Sequence, residues 1–311
     1  MVRIGTSDLD VFPLSLGGNV FGWTSDEKTS FAVLDAFTAG GGNFVDTADV
    51  YSAWVPGNTG GESETIIGNW VASRNNRDKV VIATKVGSHA DAPGASRESV
   101  RKGVEASLRR LQTDYIDLYY IHSDDLKTPL EETIGVLNEL VTEGKVRAIA
   151  ASNFKADRLA EALRISDETG AARFVALQPH YNLVYRNEYE GALEQVVAGN
   201  GLATAPYSSL ASGFLTGKYR DGGEKGDSPR ADGALKYLDD RGRRVLAALD
   251  QAAGAHNASV TSIALAWLAA QPTVVAPIAS ARTVEQVPDL LASASITLSD
   301  DEITQLNEAS A

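Results

Sequence analysis

The stretch VVIATKVGSHADAPGASRESVRKGVEASLRRL (residues 80–111) shows the pattern on which the fold prediction rests. Its first seven residues form an apolar run with the length of a strand, and Lys85 interrupts that run just before its end. After a loop, residues 99–111 have helical periodicity, with four apolar side chains on one face: Val100, Val104, Leu108 and Leu111. The stretch therefore predicts a strand followed by an amphipathic helix.

The same alternation continues along almost the whole chain. Eight runs are predicted as strands: 14–18, 44–48, 80–86, 116–122, 146–152, 174–180, 202–208 and 274–280. Most of them are apolar on both faces, which is typical of parallel strands covered by helices. A further helix is predicted over residues 129–144, with Pro129 in its first turn and Gly144 as its C-cap.

Eight strands, each followed by a helix, favour a (β/α)8 TIM barrel over an open doubly wound sheet. A dinucleotide-binding open sheet would carry G-x-G-x-x-G after its first strand, whereas this chain has LGGNVFGW (16–23) there, with the wrong third spacing. At 311 residues the chain suits one barrel domain, which typically takes about 250 residues. We therefore predict a single domain over residues 1–311 that begins with a short β-hairpin within residues 2–12, which would plug the bottom of the barrel.

Composition limits the classes of partner. The chain is 43% hydrophobic and 22% charged, has a net charge of −13 and contains no cysteine. The acidic balance argues against binding to nucleic acid or to an anionic membrane, although local cations could still hold an anionic cofactor. The lack of cysteine excludes disulfides, thiolate metal sites and cysteine catalysis, and no signal peptide is visible. We expect a cytoplasmic protein with a small-molecule substrate and no metal.

Residues 217–240 interrupt the alternation of strands and helices. The segment is rich in glycine and charge and poor in apolar residues, and it is too long for a simple connection. Following the seventh strand, it would lie on the catalytic face of a barrel, where long loops are expected. Two interpretations are equally compatible with it, a lid over the site and a solvated insertion.

Polar residues recur where the predicted strands end. The candidates, in chain order, are Asp46, Lys85, His122, Ser152, Asn153, Gln178 and Tyr207. Barrel enzymes carry their chemistry at the C-terminal ends of the strands, so these side chains should converge. Taken singly, Asp46 could be a capping residue, Lys85 an exposed lysine, His122 a core histidine and Tyr51 a loop aromatic. Together they indicate an active site, whereas Asp49 receives no role.

Proton donation is the chemistry that these residue types support. Tyrosine has an ordinary pKa of about 10, so Tyr51 needs a nearby ammonium such as Lys85 to act as an acid. Asp46 would keep Lys85 charged, and His122 would orient a carbonyl oxygen. The set contains no nucleophile beside a base, and hydride from a bound cofactor would fill that gap.

These residues are also where the sequence resembles the aldo-keto reductase superfamily, over about residues 4–290. The resemblance rests on seven motifs in order: GGNFVDTADVY (41–51), GESETIIGNW (61–70), VVIATKVG (80–87), YIDLYYIH (115–122), GKVRAIAASNF (144–154), LQPHYN (177–182) and PYSSLASGFLTGKY (206–219). It implies a barrel oxidoreductase that uses NAD(P)H to reduce aldehydes or ketones, with Tyr51 as the acid, tuned by Lys85 and Asp46, and His122 orienting the carbonyl.

The resemblance also implies a cofactor site in three parts. Ser152, Asn153 and Gln178 would bind the nicotinamide carboxamide, and Tyr207 would stack on the ring. The backbone around Leu210, Ser212, Gly213 and Leu215, with Lys218, would hold the pyrophosphate, and Ser280, Arg282 and Gln286 would hold the adenosine end. Arg282 suits a 2′-phosphate, so NADP(H) is expected rather than NAD(H).

The chain departs from the family pattern in two regions, near the adenosine end, where Ala279, Ser280 and Pro288 also differ, and after His122. Leu290 stands where many relatives have an asparagine near the adenine, and Asp124 replaces the proline of the usual H-x-P-D in HSDD (122–125). Trp23, Trp54 and Tyr181 would form either an apolar pocket for an aromatic or bulky aldehyde or a packed layer under the loops. Two other functions remain open, an NADP(H)-binding regulatory subunit with little turnover and a Schiff-base aldolase using Lys85.

Overall fold

The computed structural model describes residues 1–220 and 228–311 and contains a parallel strand within each of the eight predicted runs. The barrel strands are β3 (Ser15–Gly17), β4 (Phe44–Asp46), β5 (Val81–Val86), β6 (Ile116–Ile121), β7 (Val146–Ser152), β8 (Phe174–Gln178), β9 (Ala203–Thr204) and β10 (Ile278–Ala279). They follow one another around the sheet in chain order, and β10 pairs with β3.

The sheet closes between its seventh and eighth strands. Thr204 forms a parallel bridge with Val274, and the N–H of Val275 donates to the Thr204 oxygen at 2.9 Å. Further along, the Ile278 N–H donates to the Pro206 oxygen, also at 2.9 Å. The predicted (β/α)8 TIM barrel is therefore confirmed.

The last two barrel strands are much shorter than the apolar runs predicted. Pro206 and Pro277 interrupt those runs, and proline has no N–H to donate to a ladder. The pairing therefore continues only as single bonds and bridges beyond Thr204 and before Ile278. Strand length failed as a prediction where proline intervened, although strand position did not.

Helices cover the outside of the barrel. They are α1 (Glu27–Ala39), α2 (Glu62–Arg74), α3 (Arg97–Leu111), α4 (Leu130–Thr142), α5 (Ala156–Thr169), α6 (Ala192–Gly199), α7 (Ala231–Leu235), α8 (Asp240–His256), α9 (Val260–Ala269), α10 (Val287–Ala292) and α11 (Asp300–Ala309). Short 3-10 turns lie at Arg77–Lys79, Ala211–Thr216, Val284–Gln286 and Ser293–Ser295.

Local sequence explains where these helices begin and end. Ser96 caps α3 by accepting the N–H of Ser99, which satisfies a donor that the helix itself cannot. For α4 the prediction is displaced slightly, because Pro129 is the N-cap and Glu143 the C-cap, so Gly144 lies just beyond the helix. Its left-handed φ of 74° suits the chain reversal that follows.

An N-terminal hairpin closes the lower end of the barrel, as predicted. β1 (Val2–Arg3) pairs antiparallel with β2 (Asp10–Val11). Its buried side chains pack into the cluster that fills the barrel interior, together with Phe44, Leu118 and Tyr120. The hairpin thereby covers the N-terminal ends of the strands and leaves their C-terminal ends open.

The segment 217–240 is described in part. Residues 221–227 of the predicted lid or insertion lie outside the described residues. After them, Ser228 to Arg230 lead into α7, and Tyr237 packs against Phe214 of the preceding loop. Separately, no helix among the described residues is long and apolar enough to cross a membrane.

Candidate active site

Three predicted site residues lie at the C-terminal ends of neighbouring strands. Asp46 is the last residue of β4, Lys85 lies one residue before the end of β5, and His122 directly follows β6. β5 pairs with both other strands in parallel, and the His122 N–H donates to the Val86 oxygen at 2.9 Å. The parallel register therefore brings the three side chains to one end of the barrel.

Lys85 is the centre of this group. Its Nζ donates to three oxygens: Asp46 Oδ2 at 2.7 Å, the Thr47 carbonyl at 2.7 Å and the Tyr51 hydroxyl at 3.0 Å. Lys85 is fully buried, and Asp46 is 2% exposed. All three protons of the ammonium have an acceptor, so its geometry is fixed.

The environment of Lys85 keeps it charged. Burial opposes the ammonium form, but the attraction of Asp46 and then of Tyr51 outweighs burial, so the pKa of Lys85 is raised. A lysine that attacks a carbonyl must instead be neutral, which requires a lowered pKa. The arrangement therefore disfavours the Schiff-base interpretation of Lys85.

Tyr51 retains its proton at neutral pH. Burial raises the pKa of this phenol, and the Lys85 charge opposes that rise without cancelling it. The motifs indicated that Lys85 would lower the pKa of Tyr51. They could not show the opposing effect of burial, because the burial of a loop residue depends on the tertiary structure. The structure thus provides a protonated hydroxyl beside a fixed cation, as a general acid requires.

His122 is a neutral imidazole. Burial, followed by the charge on Lys85, lowers the pKa of His122 to about 3. Its ring lies 6.1 Å from the ring of Tyr51, centroid to centroid. Among the described residues, no group forms a hydrogen bond with its buried Nδ1. Neutral imidazole can donate one N–H, which is suited to polarising an oxygen beside Tyr51.

Gln178 contacts Asp46 instead of facing an open space. Its Nε2 donates to Asp46 Oδ1 at 2.9 Å, and its side chain is 2% exposed. One carboxylate oxygen of Asp46 therefore binds Lys85 and the other binds Gln178. The motifs gave no sign of this contact, which joins residues 132 positions apart.

The residues expected to hold a carboxamide lie together and bond to one another. Asn153 donates from Nδ2 to the His122 carbonyl at 2.9 Å and to Ser152 Oγ at 3.1 Å. Tyr207 donates its hydroxyl to Asn153 Oδ1 at 2.8 Å. Ser152 Oγ donates to the carbonyl of Gln178 at 2.9 Å. The loops after β6, β7, β8 and β9 are thus connected through Asn153, which itself takes a left-handed φ of 57°.

A cavity of about 610 Å³ opens beside this group. Asp46 and Tyr51 line it, and so do eight of the predicted cofactor residues: Tyr207, Leu210, Ser212, Gly213, Lys218, Ser280, Arg282 and Gln286. The other four, Ser152, Asn153, Gln178 and Leu215, do not line it, and the side chain of Leu215 lies in the hydrophobic core. Leu290, which replaces the family asparagine, also lines the cavity and presents an apolar wall there.

The loop after β9 forms one wall in an unusual backbone conformation. Ser208, Ala211, Ser212 and Gly213 all have left-handed φ values, from 49° to 94°. Such angles are costly for residues other than glycine and concentrate at functional sites. At Gly213 a Cβ would lie 3.3 Å from Lys218 Cε, so the glycine allows the lysine to approach.

Three cations line the cavity: Lys218, Arg230 and Arg282. Within residues 1–220 and 228–311, no salt bridge of these three is present. Arg230 was missed by the sequence analysis because it lies in the segment interpreted as a lid or insertion. Its guanidinium is 5.2 Å from the ring centroid of Trp23, and burial lowers its pKa.

The three aromatic residues predicted near the mouth differ in position. Trp23 and Trp54 meet edge to face at 5.5 Å, and Trp54 also lies 6.2 Å from Tyr51. Trp54 is 49% exposed, so it presents a large apolar surface beside Tyr51. Tyr181 is instead 1% exposed, packs against Trp267 and bonds to a glutamate, which removes it from the mouth.

Asp124 contributes an ion pair in place of the family proline. Both its oxygens accept from Arg158 of α5, at 2.8 and 2.9 Å. Asp125 holds the same loop through the N–H of Ala95 at 3.0 Å and the hydroxyl of Thr128 at 2.6 Å. The loop after His122 is therefore held by polar contacts.

Comparison with known proteins places this geometry in a family. The model of the aldo/keto reductase family matches residues 13–311. Norsolorinic acid reductase B of Dothistroma septosporum is 32% identical over 98% of this chain and 79% of its own length. Protein tas of Escherichia coli is 31% identical over 98% and 95%, and the uncharacterized oxidoreductase YrpG of Bacillus subtilis 34% over 98% and 94%. With its barrel and nearly its whole length accounted for, the chain belongs to the aldo/keto reductase family of oxidoreductases.

Proposed function

We propose that this protein is an NADPH-dependent reductase of aldehydes or ketones in which Tyr51 is the general acid. The observation that carries the proposal is the buried chain of contacts from Asp46 to Lys85 at 2.7 Å and from Lys85 to Tyr51 at 3.0 Å. Its two ends, Asp46 and Tyr51, both line the cavity of about 610 Å³.

Each residue of the group has a defined role in proton transfer to the substrate oxygen. Tyr51 donates its proton to the substrate oxygen as negative charge develops there, and the Lys85 ammonium stabilises the phenolate that remains. Asp46 keeps Lys85 charged and aimed. His122, which is neutral, donates an N–H toward the same oxygen and limits the poses that a carbonyl can take.

The cavity suits a nicotinamide dinucleotide. Such a cofactor supplies, when bound, the hydride that no side chain of this group can supply. Tyr207 offers a flat ring at one end, and Lys218 and Arg230 offer charges for a pyrophosphate. Arg282 can bind a 2′-phosphate, which favours NADPH over NADH. Arg230 and Arg282 are partly buried without a salt bridge among the described residues, an arrangement that a bound anion would stabilise.

The mouth favours an aromatic or bulky carbonyl substrate. Trp23 and Trp54 form an edge-to-face pair next to Tyr51, and Trp54 is half exposed. An aromatic ring of the substrate could pack against this pair, and such ring contacts would stabilise the bound substrate. We also propose a cytoplasmic location, which the lack of cysteine supports.

Replacing the acid tests the proposal most directly. With NADPH and an aromatic aldehyde, Tyr51→Phe should lower kcat by about 100- to 10,000-fold, because the phenylalanine ring has no proton to donate. NADPH binding, followed by fluorescence titration, should change less than about twofold. Near-native turnover by the variant would show that Tyr51 is not the acid.

The same titration on the unaltered protein tests the cofactor. NADPH should bind more tightly than NADH because only the former carries a phosphate for Arg282. Tight NADPH binding with no turnover across a panel of carbonyl compounds would contradict the reductase proposal and favour a regulatory, cofactor-sensing subunit.

A further inference from the structure

Three aromatic rings form a column beside the cavity: Tyr185, His180 and Tyr207. The rings of Tyr185 and His180 lie 3.9 Å apart and 13° from parallel. The rings of His180 and Tyr207 lie 5.2 Å apart and 20° from parallel. His180 is the middle member, so Tyr207 is at one end of the column.

The backbone sets the spacing of this column. His180 and Tyr207 form a parallel bridge between the segments that follow β8 and β9, and the Tyr207 N–H donates to the Pro179 oxygen at 3.0 Å. Asn182 pairs with Tyr185 in an antiparallel bridge, which turns the chain back over His180. Main-chain contacts thus align the rings of His180 and Tyr185 with that of Tyr207, which lies more than 20 positions further along the chain.

Tyr207 is the member that reaches the cavity. It lines that cavity, whereas His180 and Tyr185 do not. One face of its ring is covered by His180, and its hydroxyl is held by Asn153 at 2.8 Å. Two contacts, one to the ring face and one to the hydroxyl, therefore fix the plane that Tyr207 presents to a ligand.

The middle ring is uncharged. Burial lowers the pKa of His180 from its ordinary value, so the imidazole is neutral at pH 7. An imidazolium in the column would repel the cationic oxidised form of a nicotinamide, whereas a neutral ring would not. A neutral histidine also packs as a flat ring, which a lysine or an arginine in this place would not do.

We propose that His180 is a positioning residue that holds Tyr207 in the plane needed to receive the nicotinamide ring as the fourth member of this column. The inference rests on the proposed cofactor. Stacked aromatic pairs stabilise each other beyond their buried area, and that stabilisation weakens when the supporting ring can tilt.

The test is a fluorescence titration of NADPH into variants of the full chain. His180→Ala should weaken NADPH binding by about two- to tenfold, the range that one stacked ring contributes. His180→Phe should restore binding to within about twofold, because it returns a flat ring without a titratable group. Equal losses in both variants would contradict the proposal.

A double-mutant cycle separates positioning from general damage to the fold. In a Tyr207→Leu background, His180→Ala should weaken NADPH binding no further, since the ring through which it acts is gone. If the two losses are instead additive, His180 does not act through Tyr207 and the column is only packing. If the unaltered protein binds no NADPH, the proposed function itself fails, which is a different result.

Discussion

Two buried carboxylates, Asp46 and Asp117, occupy opposite ends of the barrel and have opposite surroundings. Asp46 ends β4 at the open, C-terminal end, whereas Asp117 is the second residue of β6 at the end that the hairpin covers. They are 2% and 1% exposed. Both are paired with cations, so burial and pairing alone do not distinguish them.

Both oxygens of Asp117 accept hydrogen bonds, three in all. Its Oδ2 accepts from Arg77 at 2.6 Å and from the Ile82 N–H at 2.9 Å, and its Oδ1 accepts from Arg147 at 2.8 Å. The two arginine side chains are 16% and 39% exposed and reach solvent. This cluster joins β5, β6 and β7 and has no mobile proton, which is the character of a structural pair.

At the open end both the cation and the carboxylate are buried. Lys85 is fully buried, and one of its three acceptors is the hydroxyl of Tyr51, a group that can lose a proton. Asp46 and Tyr51 border the cavity of about 610 Å³. Asp117 and Arg147 border a smaller polar cavity, of about 250 Å³, under the hairpin. The comparison teaches that a titratable third partner beside a cavity, more than a buried ion pair, indicates chemistry.

The largest effect is expected at Lys85. Lys85→Met should reduce kcat by about 100- to 10,000-fold, since the phenolate of Tyr51 would lose its stabilising charge. It should also lower the free energy of unfolding by about 3–5 kcal/mol, because Asp46 would remain buried without a cation. Steady-state kinetics and urea unfolding measure the two. A variant that lost stability but kept its kcat would place Lys85 in the structural class with Asp117.

Asp117→Asn is the matched control at the other end. It should lower the free energy of unfolding by about 2 kcal/mol, somewhat less than at Lys85, because the arginines left behind can be solvated. At a temperature where the variant is folded, kcat and KM should equal those of the unaltered protein. A tenfold fall in kcat would mean that the two ends of the barrel are coupled.

The smallest effect is expected at a third buried carboxyl group, that of Asp49. It is 1% exposed, and no side chain among the described residues bonds to either oxygen, although the backbone at Gly87 and His89 lies close enough to favour the carboxylate. Burial, and then the charge of Glu64, raises its pKa to about 7. Arg110 lies nearby, but its Nε donates to Glu64 at 2.6 Å and not to Asp49.

The raised pKa gives the pH dependence a definite sign. Between about pH 4 and pH 7 the folded protein holds a proton on Asp49 that the unfolded chain releases, so stability contributed by this group falls as the pH rises. Asp49→Asn should therefore gain about 1 kcal/mol relative to the unaltered protein between pH 6 and pH 8, measured by urea unfolding at both pH values. If the two proteins differ in free energy of unfolding by the same amount at pH 6 and at pH 8, Asp49 is already ionised at pH 6.

Much of the fold was predictable because it depends on local patterns. Each barrel strand lies inside its predicted run, and α3 follows the apolar stripe that begins at Val100. Where a prediction failed, a tertiary or local exception explains it. Pro206 and Pro277 shorten two strands. For Tyr181, which the sequence left open between a pocket and a packed layer, burial beside Trp267 favours the packed layer.

The sequence by itself determined the barrel and the family, because strand and helix periods and short motifs are properties of neighbouring residues. It also placed Asp46, Lys85 and His122 at strand ends, from which their convergence follows once the strands are parallel. Only the tertiary structure decided what those side chains contact. The link from Gln178 to Asp46, the cation of Arg230 and the raised pKa of Tyr51 all depend on residues distant in the chain. Desolvation and hydrogen-bond geometry are set by packing in space, which no local pattern encodes.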